Sequence, residues 1–214
     1  MVRYLGTPSG PEVRAAMSAG LIGCMTTPAQ GNVIPEGACY ACDNCKFGCD
    51  GKGKHWPGLD KWREWLIRTV DRYGPERCLW ALAPDVPFNA AATLAESLPE
   101  LTFIRSLGIP AAFAAQNGCE NGLIPWDDLD VLFLAGDTEW KTGPVAERLA
   151  REARERGKKV HMGRVNSLRR MRIAEHFGCD TADGTFLAFG PDKNLPQLLD
   201  WLDDLHHQPS LFAA

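Results

Sequence analysis

No stretch of this chain approaches the ~18 consecutive apolar residues that a membrane-spanning helix needs. The opening MVRYLGTPSGPEVRAAMSAG has no basic region leading into a continuous apolar stretch, so the expectation is a soluble, unprocessed, cytoplasmic protein. Nucleotide-cofactor loops are missing as well: neither GxxxxGK[ST] nor GxGxxG occurs, and with them go the phosphate cradles of the common nucleotide-dependent α/β enzymes. Positive charge is not in excess. The formal net charge is -4, so no global field advertises a nucleic-acid partner, and such a partner has to be argued from a local site. Internal repeats and low-complexity linkers are also absent.

The chain has 214 residues, 45% of them hydrophobic, enough for one large core and a single domain over residues 1–214. Its eight cysteines suit a reducing compartment with free or metal-bound thiols, since disulfide scaffolds are short and secreted.

From Cys78 onward, apolar runs alternate with helical patterns, the order expected of parallel strands joined by crossover helices. CLWALAPDV is apolar on both pleat faces, PAAFAAQNG and DVLFLAGD repeat the pattern, and KKVHMGRV and CDTADGT complete it. Between them the spacing predicts helices from Asn89 to about Leu107, over TGPVAERLAREARERG, over SLRRMRIAEHFG opened by Ser167, and over NLPQLLDWLDDL. Before Cys78 the reading is RYLGT as strand, PEVRAAMSAG as short helix, LIGCMTT as strand, a Gly- and Cys-rich loop, and LDKWREWLIRTVDRYG as helix. Seven or eight strands in a chain this short predict a compact (β/α)8-type (TIM) barrel, with an open doubly wound sheet as the competing fold. The loop over about 33–58 is too long to be only a connection. Trp62, Trp65 and Trp201 fall on helices and read as packing residues. Cys78 and Cys179 read as strand or core residues.

Both parallel architectures place chemistry at the carboxyl ends of strands. Those ends carry Asp43 with Asn44, Asp85, Gln116 with Asn117, Gly136 with Asp137, Arg164 with Asn166, and Asp180 with Asp183. A single aspartate there is often a helix cap. Several carboxylates and amides around one rim suit glycosidic chemistry, in which one carboxylate attacks the anomeric carbon and another manages the leaving group's proton. His161, Arg164 and Asn166 follow one strand and are expected to line the same mouth. Arg164, Arg169, Arg170 and Arg172 form a local basic run that either meets phosphates or is a solvated helix face. Gln30 and Asn32 in PAQGN either shape a pocket wall or make a turn.

In order and spacing, YLGTPS, TTPAQGN, ACDNCKFG, APDV, AAQNG, FLAGDTEWK, HMGRVNSLRR and CDTADGTFLAFGPD resemble the DpdA-like 7-deazaguanine DNA transglycosylases of the short phage and actinobacterial type, relatives of the tRNA-guanine transglycosylases. The resemblance covers nearly the whole chain and implies exchange of guanine in a polynucleotide for a 7-deazaguanine base such as the 7-cyano form. It implies Asp183, in DTAD, as nucleophile and Asp43 as acid/base. CDNCKF stands where those enzymes carry a DSGGF-type loop, which brings Asn44 and Phe47 into the base site and puts Asn44, Cys45 and Lys46 where glycines are usual. Asp85 and Gln116 match the residues that read the guanine edge. Gly136 matches a backbone that approaches the base, with Ala135 a departure. DNA is the implied partner and tRNA the alternative. A nucleoside hydrolase and a non-catalytic modified-base binding module stay open, as does a homodimer or a helper protein.

Cys39, Cys42, Cys45 and Cys49 have the spacing C-x2-C-x2-C-x3-C, which matches the ferredoxin run without its trailing proline. Zinc is the preferred occupant over an iron-sulfur cluster, because base exchange transfers no electrons, and His55 is a substitute ligand. The bland reading is four free thiols in a loop whose working member is Asp43.

Overall fold

The structure, a computed structural model, describes residues 1–47 and 56–207. Eight parallel strands close into a barrel in chain order: β1 (Arg3–Gly6), β2 (Gly23–Thr26), β3 (Tyr40–Cys42), β4 (Cys78–Leu82), β5 (Ala111–Ala115), β6 (Val131–Leu134), β7 (Lys159–Met162) and β8 (Thr181–Asp183). Pairing of β1 with β8, Arg3 opposite Thr181 and Leu5 opposite Asp183, seals the sheet. The open-sheet alternative is thereby excluded. Seven α-helices occur among the described residues: α1 (Pro11–Ser18), α2 (Leu59–Tyr73), α3 (Ala90–Ser106), α4 (Thr138–Lys141), α5 (Pro144–Glu155), α6 (Leu168–His176) and α7 (Pro191–His207). None is long and apolar enough to cross a membrane.

Strand residues alternate between two environments, as the period-two pleat requires. Tyr4, Cys24, Tyr40, Ala81, Phe113, Leu132, Val160 and Ala182 face outward into the layer shared with the helices. Leu5, Met25, Ala41, Trp80, Leu82, Ala112, Ala114, Val131 and Phe133 face inward and form a core of their own. The alanines of β3 and β5 leave room for Trp80, whose ring stands edge-on to Phe133 at 5.6 Å and to His161 at 4.7 Å between centroids. The barrel is therefore a packed plug, with the His161–Thr181 pair set against the Trp80 ring. Trp62 is buried, and Trp65 and Trp201 pack against the outer core, as expected of helical tryptophans. Cys78 and Cys179 are buried too.

Economy explains how so short a chain closes. No helix links β2 to β3, and β5 leads to β6 through one 3-10 turn, Cys119–Asn121. Two elements depart from expectation. The three-residue β3 lies inside the stretch read as a Gly- and Cys-rich loop; a strand this short offers too few alternations to register. The one-turn α4 follows β6 because Asp137 caps it, its side chain accepting from Trp140 N at 2.9 Å. Elsewhere the signals were local and strong: Ser167 caps α6 by accepting from Arg170 N, and Asn89 caps α3 by accepting from Ala92 N.

Candidate active site

Asp183 ends β8 with its carboxylate directed into the barrel mouth, one inward position above Thr181. Its Oδ1 accepts from His161 Nε2 at 3.0 Å and from the Arg164 backbone N–H at 3.3 Å. Oδ2 carries no hydrogen bond among the described residues, so one oxygen is held and the other is open to the mouth. His161 is fully buried, and burial lowers its pKa against the pull of Asp183, which keeps the ring neutral near pH 7. The partners fix its tautomer. Nε2 faces a carboxylate and must carry the proton, so Nδ1 accepts from the Thr181 hydroxyl at 2.8 Å. Thr181 Oγ1 in turn accepts from Trp80 Nε1 at 3.4 Å. A chain of donors thus runs from the plug to the carboxylate, each bond polarising the next.

Asp85 is buried beyond the end of β4 and lies between two amides. Oδ1 accepts from Asn44 Nδ2 at 2.8 Å and Oδ2 from Gln116 Nε2 at 2.7 Å. Neither amide can turn around, because Asn44 Oδ1 takes Lys46 N at 2.8 Å and Gln116 Oε1 takes Phe88 N at 3.0 Å. Burial pushes the Asp85 carboxyl above its ordinary value; the two amides and the Lys46 charge oppose the rise. Each carboxylate oxygen keeps a second lone pair for a ligand donor.

Asp43 follows β3. Burial pushes its carboxyl from 3.8 up to about 7, opposed by the Cys45 N–H and reinforced by the charges of Asp183 and Asp85. Two consecutive side-chain turns set this loop: Asp43 Oδ1 accepts from Cys45 N at 2.6 Å, and Asn44 makes the matching bond to Lys46 N. Cys45 takes φ 70°, the left-handed conformation that a glycine would otherwise supply. The side-chain turns thus compensate for the missing glycines. Three described non-glycine residues have positive φ, Cys45, Phe88 and Arg164, and all three follow strand ends at the mouth, where such strain commonly serves a site.

Arg164 donates to the carbonyls of Ala135 and Gly136 and lies 4.7 Å over the Phe47 ring. Phe47 and Phe88 meet edge to face at 6.0 Å with half of each side chain exposed, the aromatic rim of the mouth. Gly136 is explained by packing: a Cβ there would lie 2.4 Å from the Trp140 ring. Sequence reasoning missed Phe88, Thr181 and Trp80, and it also missed Lys141. That lysine is fully buried, and its Nζ donates to the Gly163 carbonyl between His161 and Arg164. Burial lowers it to about 7, aided by the Arg164 charge and opposed by Asp183. No spacing rule marks a lysine that turns inward from a one-turn helix.

Other expected residues lie elsewhere. His161 supports Asp183 from below and does not line the open mouth. Asn166 is half-buried beside Gly184, with its Oδ1 buried and without a hydrogen bond. Gln30 and Asn32 bond to each other at 3.1 Å on either side of Gly31, φ 58°, which is the turn reading. Asp180 sits at the opposite end of β8, paired with Lys159 at 2.8 Å. Asn117 and Asp137 hold each other at 2.6 Å, and Asp137 caps α4.

Among the described residues, Cys39, Cys42 and Cys45 form no metal-binding group. Cys39 precedes β3, with its Sγ 3.2 Å from Arg3 Nη1. Cys42 is buried on the outward face against Cys78, and Cys45 lies past the far end of the strand. β3 passes through the motif and gives Cys39, Cys42 and Cys45 different surroundings. No group of three or more His, Cys, Asp or Glu among the described residues is arranged to hold a metal ion. Cys49 and His55 lie outside the described residues. No chemical step is assigned to zinc or to an iron-sulfur cluster.

Compared with known proteins, the chain matches no family model, and no curated protein matches it.

Proposed function

We propose that this barrel is a base-exchange transglycosylase that replaces guanine in DNA with a 7-deazaguanine derivative through a covalent intermediate on Asp183. One observation carries the reading. Asp183 has one oxygen held by His161 and the Arg164 N–H and the other free, while Asp43, at the same mouth and within reach of the Asp183 charge, has its pKa raised to about 7. A fixed nucleophile with a proton donor matched to neutral pH is what a double displacement at an anomeric carbon requires.

In the first half-reaction Asp183 Oδ2 attacks C1′ of the target nucleotide. The C1′–N9 bond breaks, its electron pair passes to guanine, and guanine takes the proton of Asp43. In the second, N9 of the incoming base attacks C1′, its proton goes to Asp43, and the Asp183 ester bond breaks. Two inversions give net retention. Asp85 accepts from the donors on the guanine edge through its remaining lone pairs, with Gln116 beside it. The Phe47–Phe88 rim offers an apolar surface to the base. Since C1′ cannot reach a barrel mouth from within a duplex, the target nucleotide leaves the stack.

The test is incubation of the purified protein with labelled 7-cyano-7-deazaguanine and single-stranded DNA, duplex DNA or tRNA, followed by nucleoside mass spectrometry. Label in DNA supports the proposal. Label confined to tRNA moves the substrate to RNA, and release of free guanine without incorporation makes the protein a hydrolase.

A further inference from the structure

A cavity of about 410 Å³ opens between α4 and the start of α6, on the side of the barrel where the strands end. Thr138 and Thr142 form one wall, and Asn166, Ser167, Arg169 and Arg170 form the other. It is joined to the catalytic carboxylate through the backbone: Val165 N donates to the Asp183 carbonyl, and Arg170 Nη1 donates to the Arg164 carbonyl at 3.1 Å. Its volume falls within the range of small-molecule sites.

The lining of this cavity carries two arginines and no carboxylate, whereas the cavity along α5 mixes Arg148, Arg151 and Arg156 with Glu120, Glu152 and Glu155. Arg169 is exposed and has no carboxylate partner among the described residues, and the first turn of α6 carries no acidic residue. In a chain of net charge -4, two guanidinium groups on one cavity wall call for an anion. Arginine favours phosphate oxygens because its planar fork matches them in geometry.

We propose that this cavity binds a backbone phosphodiester of the single strand whose target nucleotide enters the mouth. The proposal rests on the polynucleotide reading above and adds the place where the strand is gripped. A phosphate held beside Asp183 fixes the register of the extruded nucleotide without contacting its base. The cavity accordingly contributes affinity and salt dependence, and base choice stays with Asp85 and Gln116.

Binding of a fluorescent oligothymidylate, which contains no guanine, is followed by anisotropy over a salt series for wild type, Arg169→Ala and Arg169→Lys. Arg169→Ala is expected to weaken binding several-fold at low salt and to flatten the plot of log K against log salt by about 0.7, one single-strand contact. Arg169→Lys keeps the slope. An unchanged slope in Arg169→Ala, or a wild type that does not bind the oligonucleotide, overturns the proposal. So does inorganic phosphate that binds wild type while the oligonucleotide does not, since the cavity is then a free-anion site. Failure of the two readings is distinguishable: base exchange with an unchanged slope removes the phosphate site alone, and a flattened slope without exchange removes the transglycosylase alone.

Discussion

His161 Nε2 donates to Asp183 Oδ1 at 3.0 Å from a fully buried ring, itself held by Thr181 and packed edge-on against Trp80. The aromatic plug of the barrel and the Asp183 carboxylate are thus one unit, and in the proposed reaction the orientation of the nucleophile is a property of the core.

Replacing that donor without opening a cavity isolates its effect. His161→Phe is expected to leave the fold intact and lower the base-exchange rate by ~10²-fold, the size of losing one preorganised polar contact. The KM for the free base stays near wild type, because His161 does not touch Asp85. Steady-state kinetics with circular dichroism checks both.

Asp43 predicts a pH dependence in stability as well as in rate. Its folded pKa of about 7 lies above the ordinary 3.8, so the folded state holds a proton that the unfolded state releases. The stabilising contribution is complete below about 3.8 and is lost as the pH rises to about 7. Asp43→Asn removes this loss and keeps an acceptor for Cys45 N. Its Tm relative to wild type should rise from pH 4 to pH 8, read by thermal melts across that range, while exchange falls by ~10²-fold or more.

Asp85→Asn sets an amide donor against the donors of Asn44 and Gln116. Affinity for free 7-cyano-7-deazaguanine should fall by ~10-fold to 10²-fold, in line with a lost hydrogen bond to a charged group. Calorimetric titration reads this directly, and an unchanged affinity would remove Asp85 from the base site.

Lys141 runs in the opposite sense to Asp43. Its folded pKa of about 7 lies below 10.5, so the unfolded chain takes up a proton first, and stability is lost as the pH falls from about 10.5 to about 7. Lys141→Met, which orphans the Gly163 carbonyl at every pH, should become less destabilising relative to wild type over that fall. Urea unfolding at pH 7 and pH 10 measures the difference.

The barrel and most of the rim were legible because they rest on local signals. Ser167 and Asn89 announce helix starts, doubly apolar runs announce parallel strands, and strand-end polar residues announce the mouth. Asp43, Asp85, Gln116 and Asp183 meet there without any one of them contacting another in sequence. What escaped depends on the third dimension. β3 is too short to show its period, and it runs through a stretch whose glycines and cysteines read as a loop. Lys141, Phe88 and Trp80 serve the site only through the direction in which the closed barrel points them. Asp180 looked like a rim residue because it is near Asp183 in sequence, yet a strand intervenes and carries it to the other end.

The most direct test of the account is denaturing electrophoresis of the protein with labelled single-stranded DNA and no added base. The wild type should form a denaturant-resistant protein–DNA adduct that 7-cyano-7-deazaguanine discharges into modified DNA, and Asp183→Asn should form none. Incorporation of the base by Asp183→Asn at the wild-type rate would contradict it.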